Sequence, residues 1–148
     1  MRSMKESGRV SLLALASAVC VIVIAGLLFF SRESPAAAGT RFMVALRDHD
    51  VDTLTKLSMM KKASPDEIRK QWDFAVNHAE KYYVFMFSIE GATASSDTTA
   101  SVKVKMWHDI DKPGSYDQLY ELPMIKDNGD WKVDVRGVSR EFYNCLPR

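Results

Sequence analysis

Cysteine is scarce in this chain: Cys20 and Cys145 are the only two among 148 residues. They lie far apart, and Cys20 sits inside a long apolar run, so neither a disulfide framework nor a zinc spacing is present. Glycine and proline number only 7 and 5, and no Gly-rich phosphate loop occurs. Ser88, Ser95 and Ser96 lack the G-x-S-x-G context of an activated serine. Cys145 has no basic helix start beside it to favour a thiolate. An excess of one charge is also missing, with 20 Lys+Arg against 19 Asp+Glu. Near-neutrality removes the electrostatic footprint of a nucleic-acid binder. No cofactor motif is found.

What the chain does have is one uninterrupted apolar run, Val10–Phe30, "VSLLALASAVCVIVIAGLLFF". It carries no charge and no proline. Its 21 residues suffice for a helix to cross a bilayer core of about 30 Å. Arg2, Lys5 and Arg9 precede the run, opposed only by Glu6, while Arg32 and Glu33 after it cancel. The positive-inside rule then keeps the N-terminus in the cytoplasm and places the rest outside. The expected organisation is a cytoplasmic tail at 1–9, a signal anchor at 10–30, a linker at 31–38 and an extracytoplasmic domain at 39–148. The alternative is secretion after cleavage near Ala38, where Ala36 and Ala38 offer an Ala-x-Ala site. The apolar run is longer than a signal-peptide core of roughly 7 to 15 residues, which favours the anchor.

Beyond the linker, helical periodicity appears three times. Pro35 suits a first helical turn, and Phe42, Met43, Ala45 and Leu46 form the stripe of a first helix over about Ala37–Asp48. Asp50 reads as the N-cap of a second, with Val51, Leu54 and Leu57 on its apolar side. "SPDE" at Ser64–Glu67 is a capping box with proline at the first helical position. It opens a third helix to about Lys81, with Ile68, Trp72, Ala75, Val76 and Ala79 on one face and His78 at its edge.

From Tyr82 the pattern turns β. "YYVFMFSIEGATA" is aromatic and β-branched, and "ASVKVKMWHDI" alternates strictly. "DKPGS" places Pro113 and Gly114 for a type II turn. "YDQLYELPMIK" follows, with Pro123 marking a bulge or an edge position. Asn128-Gly129 is a strong hairpin signal, and "WKVDVRGV" closes a four-stranded antiparallel meander. Helices grouped before an antiparallel run give an α+β fold with the helices on one sheet face.

This order resembles nuclear-transport-factor-2-like domains, the cystatin-like cone in which helices pack on a strongly curved antiparallel sheet. The resemblance covers about Pro35 to Tyr143. "FMVALRDHDVDTLTKL" is similar to the paired opening helices, the aromatic strand "YYVFMF" follows the third helix, and "DNGDWKVD" looks like the closing hairpin. Among such domains the chain most resembles bacterial membrane-anchored members of unknown function. The arrangement of short tail, single span and such a domain also resembles the envelope-facing assembly component of type IV secretion systems. Isomerases and dehydratases share the fold, yet no acidic residue here aligns with their catalytic positions, and fold does not imply function.

Two sets of residues are candidates for chemistry. The motif "HDVD" at His49–Asp52 repeats as "HDID" at His108–Asp111. His49, Asp50, His108 and Asp109 would form a two-part zinc site if the helix joint met the sheet turn. The same residues are explained locally as a cap and a turn, which is the favoured reading and assigns no metal. A calcium loop fails, because Thr53 and Met59 stand where Gly and Glu are required. The second set is aromatic: Trp72, His78, Tyr82, Trp107, Tyr116 and Tyr120 would line a cavity between sheet and helices. Aromatics at these periods also simply fill cores, and no catalytic residue is assigned.

The sequence therefore leads to an anchored module in a bacterial inner membrane, holding the bilayer through residues 10–30. It would bind an envelope protein or a second copy of itself. The alternative is a small-ligand binder or an isomerase-like or dehydratase-like enzyme using the cone cavity.

Overall fold

The structure, a computed structural model, describes residues Glu33–Arg148. The tail, the expected anchor at 10–30 and the start of the linker lie outside the described residues. Among the described residues, no helix is long and apolar enough to cross a membrane.

Helix α1 spans Pro35–Arg47. It starts earlier than expected and absorbs Pro35–Ala38 from the linker. The reason is local: the Ser34 side chain accepts from the Ala37 N–H, and proline fixes the first turn. Helix α2, Val51–Leu57, is capped by Asp50, whose carboxylate accepts from the Thr53 N–H at 3.1 Å. Helix α3, Pro65–Asp73, opens on the expected Ser64/Glu67 capping box.

The third helical segment departs from expectation after Asp73. Phe74–Ala79 is a π-helical turn, in which the Glu80 N–H reaches back five residues to the Ala75 carbonyl. Ala79, expected on the buried stripe, is exposed, because the wider turn carries it off the face that Trp72, Ala75 and Val76 share.

The sheet has five strands in the order β1-β5-β4-β3-β2. They are β1 Ser58–Met59, β2 Phe85–Ala94, β3 Thr99–His108, β4 Tyr116–Asp127 and β5 Asp130–Asp134. The four antiparallel strands are those read from the sequence. The fifth, β1, is a two-residue piece pairing in parallel with β5 through Ser58↔Val133. It has no alternating pattern to betray it. β2 begins at Phe85, so Tyr82 and Tyr83 precede the strand. Glu90 forms a bulge between Ile89 and Gly91. Asn128 (φ 50) and Gly129 (φ 91) turn β4 into β5 as a type I′ hairpin requires. Pro123 makes no bulge, since β4 runs in register with β3 through Ser101↔Pro123. Its position is a local edge, because the β5 ladder stops at Met124.

Alternation divides the sheet faces. Val102, Val104, Met106, Tyr120, Leu122 and Met124 are buried on the inner face. α1 lies against this face so closely that a Cβ on Gly39 would stand 3.0 Å from a Val102 methyl. Phe42 of α1 meets Trp72 of α3 edge to face, with ring centroids 5.7 Å apart. The chain after β5 makes a 3₁₀ turn at Val135–Gly137, then folds back with Phe142, Tyr143 and Leu146 buried. This segment covers the end of the sheet where β2 begins and β3 ends.

Candidate functional site

At that end of the sheet a histidine sits between two phenols. His108, the last residue of β3, is 3 % exposed. Its Nδ1 is hydrogen-bonded to the Tyr83 hydroxyl, and its Nε2 to the Tyr120 hydroxyl at 2.9 Å. Tyr120 also faces two carbonyl oxygens, Gln118 Oε1 at 3.1 Å and the Glu141 backbone at 3.0 Å. The Gln118 amide nitrogen in turn donates to Glu141 Oε2 at 3.3 Å, which orients the amide with its oxygen toward Tyr120. A phenol has one proton to give. Tyr120 must spend it on a carbonyl, so it accepts from His108 Nε2–H. His108 Nδ1 then accepts from Tyr83.

The electrostatics agree. Burial lowers the affinity of His108 for a second proton, with the nearby Asp109 opposing more weakly. Burial also pushes the Tyr120 hydroxyl up to about 12 and raises Tyr83 well above the ordinary phenol range. All three groups are held neutral. Tyr116 stacks on the imidazole, with ring centroids 4.8 Å apart.

Beside this network lies a pocket of about 440 Å³. One wall is the end of the π turn and the approach to β2, from His78 to Tyr83; a second is His108, Asp109, Lys112 and Tyr116; the third is the C-terminal segment Glu141–Asn144. Tyr143 lines it and is 2 % exposed. Among the described residues its hydroxyl has no hydrogen-bond partner. Burial, with the nearby Glu80 carboxylate, raises the Tyr143 hydroxyl above its ordinary range.

The expected pocket residues separate on this geometry. His78, Tyr82 and Tyr116 do line the pocket, and Tyr120 stands behind it in the histidine network. Trp72 does not belong: it is fully buried, and its indole N–H donates to Ser58 Oγ at 2.8 Å. Trp107 does not belong either. It occupies an odd position of β3 and so faces outward, with Lys105 Nζ 5.2 Å from its ring centre. Tyr83, His108, Glu141 and Tyr143 were missed as pocket residues. For His108 the signal existed, since strict alternation from Val102 puts it on the inner face with Tyr120. For Tyr143 none did, because the tail has no period.

The two HDxD stretches find local explanations. His49 (φ 57) and Asp109 (φ 49) both take the left-handed conformation that His and Asp tolerate in turns. Asp50 caps α2, and Asp109 pairs with Lys112 at 2.9 Å. The two turns do approach each other, for His49 and Asp111 border one groove. Among the described residues, however, no three His, Cys, Asp or Glu side chains gather as a metal would need.

A second surface stands out on the outer sheet face. Met86, Trp107 and Asp117 are cross-strand neighbours, as are Ser88, Lys105 and Leu119. Met86 is 53 % and Leu119 56 % exposed. Lys105 and Asp117 form an ion pair at 3.1 Å between them.

No protein-family model and no curated protein matches the chain. Solved structures do. Its fold neighbours include NTF-2-like, ketosteroid isomerase-like and cystatin-like proteins. One is an NTF-2-like protein of unknown function from Shewanella oneidensis, 15 % identical, with 65 % of this chain and 88 % of that one covered at a TM-score of 0.45. A ketosteroid isomerase-like protein from Erwinia carotovora atroseptica is 14 % identical, with 66 % and 85 % covered at 0.45. A domain of unknown function with a cystatin-like fold from Nostoc punctiforme is 12 % identical, with 66 % and 69 % covered at 0.48. These likenesses concern the fold alone.

Proposed function

We propose that this chain is a binding module of a bacterial envelope, tethered by Val10–Phe30, that presents the outer face of its sheet to a protein partner. The observation that carries this reading is the exposure of large apolar side chains on that face. Met86 and Leu119 are each more than half exposed on neighbouring rows, and Trp107 joins them. β2 adds an edge strand at the same side of the sheet. Large apolar side chains exposed beside charged ones are common at contact sites.

The face itself suits a second copy of the chain. It carries both signs, Lys105 and Asp117, in one short stretch. A two-fold axis passing between these two groups would bring each lysine opposite the other copy's aspartate. The tether rests on the apolar run and its flanking charges, and the bacterial envelope on the resemblance in the sequence.

The histidine network argues against His108 as a general base. Both ring nitrogens of His108 are engaged by phenols, and those phenols are held protonated. A general base needs a free lone pair within reach of a substrate proton.

The test is sedimentation velocity on the full chain in detergent, alone and with Met86→Asp or Leu119→Asp. A dimer that either substitution dissociates is expected, with folding intact because both side chains face solvent. A monomeric wild-type chain would remove the second copy as the partner. An oligomer that both substitutions leave unchanged would remove this face.

A further inference from the structure

We propose that the free edge of β2 is an interface between copies of this chain, in which Phe85–Ile89 of one copy pairs antiparallel with the same residues of another about a two-fold axis at Phe87. This contact is separate from the outer sheet face and does not rest on it.

The starting observation is an edge without protection. β2 is the last strand of the sheet and ten residues long, and among the described residues β3 is its only strand partner. An open edge presents unpaired main-chain N–H and C=O groups, which a monomer guards with charge, proline or a bulge. The stretch Phe85–Ile89, "FMFSI", has none of these. The guard comes only afterwards, in Glu90 at the bulge. On the inner face Phe87 and Ile89 pack against the core yet stay partly open, and one more strand would close them off.

Unpaired main-chain groups select an extended polypeptide as the partner, and the charges select this one. Glu90 is the one charged residue in β2. Among the described residues its carboxylate meets only the Ser88 hydroxyl. Lys81, shortly before the strand, makes no ion pair among those residues either, and its Nζ lies 5.4 Å from the Tyr82 ring centre. Lys81 lines a groove with Arg47, His49 and Val84, against the single carboxylate of Asp111, and Arg47 is already paired with Asp48. Pairing Phe87 with Phe87 sets Phe85 opposite Ile89 and Met86 opposite Ser88. Glu90, the next residue, then arrives opposite Val84, at the groove that Lys81 lines. Two charges without partners in one copy thus meet across the axis, and they do so twice. In this register the two Glu90 side chains stay six residues apart along the strands, about 20 Å. Centring the pair on Ile89 would instead bring them within about 7–8 Å of each other, where like charges repel.

The test uses the full chain in detergent, with Cys20 and Cys145 replaced by serine. Met86→Cys chains and Ser88→Cys chains are oxidised separately and as a mixture. The register sets these two positions opposite each other, whereas like positions sit diagonally at roughly 7–8 Å, too far for a disulfide. The expected result is cross-linked dimer in the mixture at several times the yield of either variant alone, unchanged when Leu119→Asp is added to remove the outer-face contact. Sedimentation velocity then reads the charges. Lys81→Glu and Glu90→Lys should each weaken dimerisation roughly three- to tenfold, and the two together should restore it. Both side chains are exposed, so these variants keep the fold. The proposal is overturned if the mixture gives no excess of dimer, or if the exchanged charges restore nothing. Cross-linking that Leu119→Asp abolishes would assign the contact to the outer face instead. A chain that stays monomeric would overturn the second copy as the occupant and leave the edge to a strand of another protein.

Discussion

The Nε2–H of His108 points at the hydroxyl of Tyr120 across 2.9 Å. That bond joins β3 to β4, and through the Glu141 carbonyl it also holds the C-terminal segment. Because Tyr120 spends its only proton on a carbonyl, the direction of the whole relay is set. Nitrogen-15 spectra of the imidazole at pH 7.5 should show a neutral ring protonated at Nε2. A ring protonated at Nδ1 would contradict the relay. Tyr120→Phe should strand the buried Nε2–H and cost about 1–3 kcal/mol in denaturant unfolding.

The same histidine gives stability a pH dependence. Burial depresses its folded pKa below the unfolded value of about 6.5. Between those two values the unfolded chain binds the proton and the folded chain does not. Stability therefore falls as pH drops below about 6.5, and the loss ends once the folded pKa is passed. Tyr83 and Tyr120, both raised by burial, face the ring as neutral groups in this range, and Asp109 opposes the effect. Thermal melts from pH 7.5 to 5 should show a falling midpoint in the wild type and a flatter one in His108→Gln. Equal slopes would assign the dependence elsewhere.

Tyrosine and tryptophan aside, Ser58 and His108 are the only polar side chains buried among the described residues. Ser58 accepts from the Trp72 indole N–H at 2.8 Å and donates to the Leu54 carbonyl at 2.6 Å. One hydroxyl thus ties β1, α2 and α3 together. Ser58→Ala should cost about 1–3 kcal/mol, the penalty of leaving a buried N–H unpaired. Ser58→Thr should retain much of it if the added methyl is tolerated. Unfolding followed by tryptophan fluorescence measures both, and a neutral Ser58→Ala would mean that Trp72 finds another acceptor.

Much of the fold was legible because local chemistry and global pattern agree. The capping box at Ser64, the cap at Asp50 and the turn at Asn128-Gly129 each have a mechanism that acts within four residues. The alternation of β3 reports one buried face directly. The pocket was legible only in part. His78, Tyr82 and Tyr116 carried a signal as aromatics near element ends, but Trp72 and Trp107 looked the same in one dimension and face the core and the outside. Tyr143 comes from a segment without period, and its place depends on the tail folding back. β1 is two residues long, too short for any pattern to show.

The π turn at Phe74–Ala79 has a consequence for engineering this domain. Such a turn is what a helix becomes when one residue too many is fitted into its ladder. Counted at 3.6 residues per turn, each residue advances the helix by about 100°. The wider turn absorbs that residue locally. Removing one residue from the turn would therefore restore the ladder, leave the Trp72 stripe in phase, and still bring the chain to Glu80 in the same direction. The π turn is a place where this helix can shorten by one residue without redirecting the stretch that follows it.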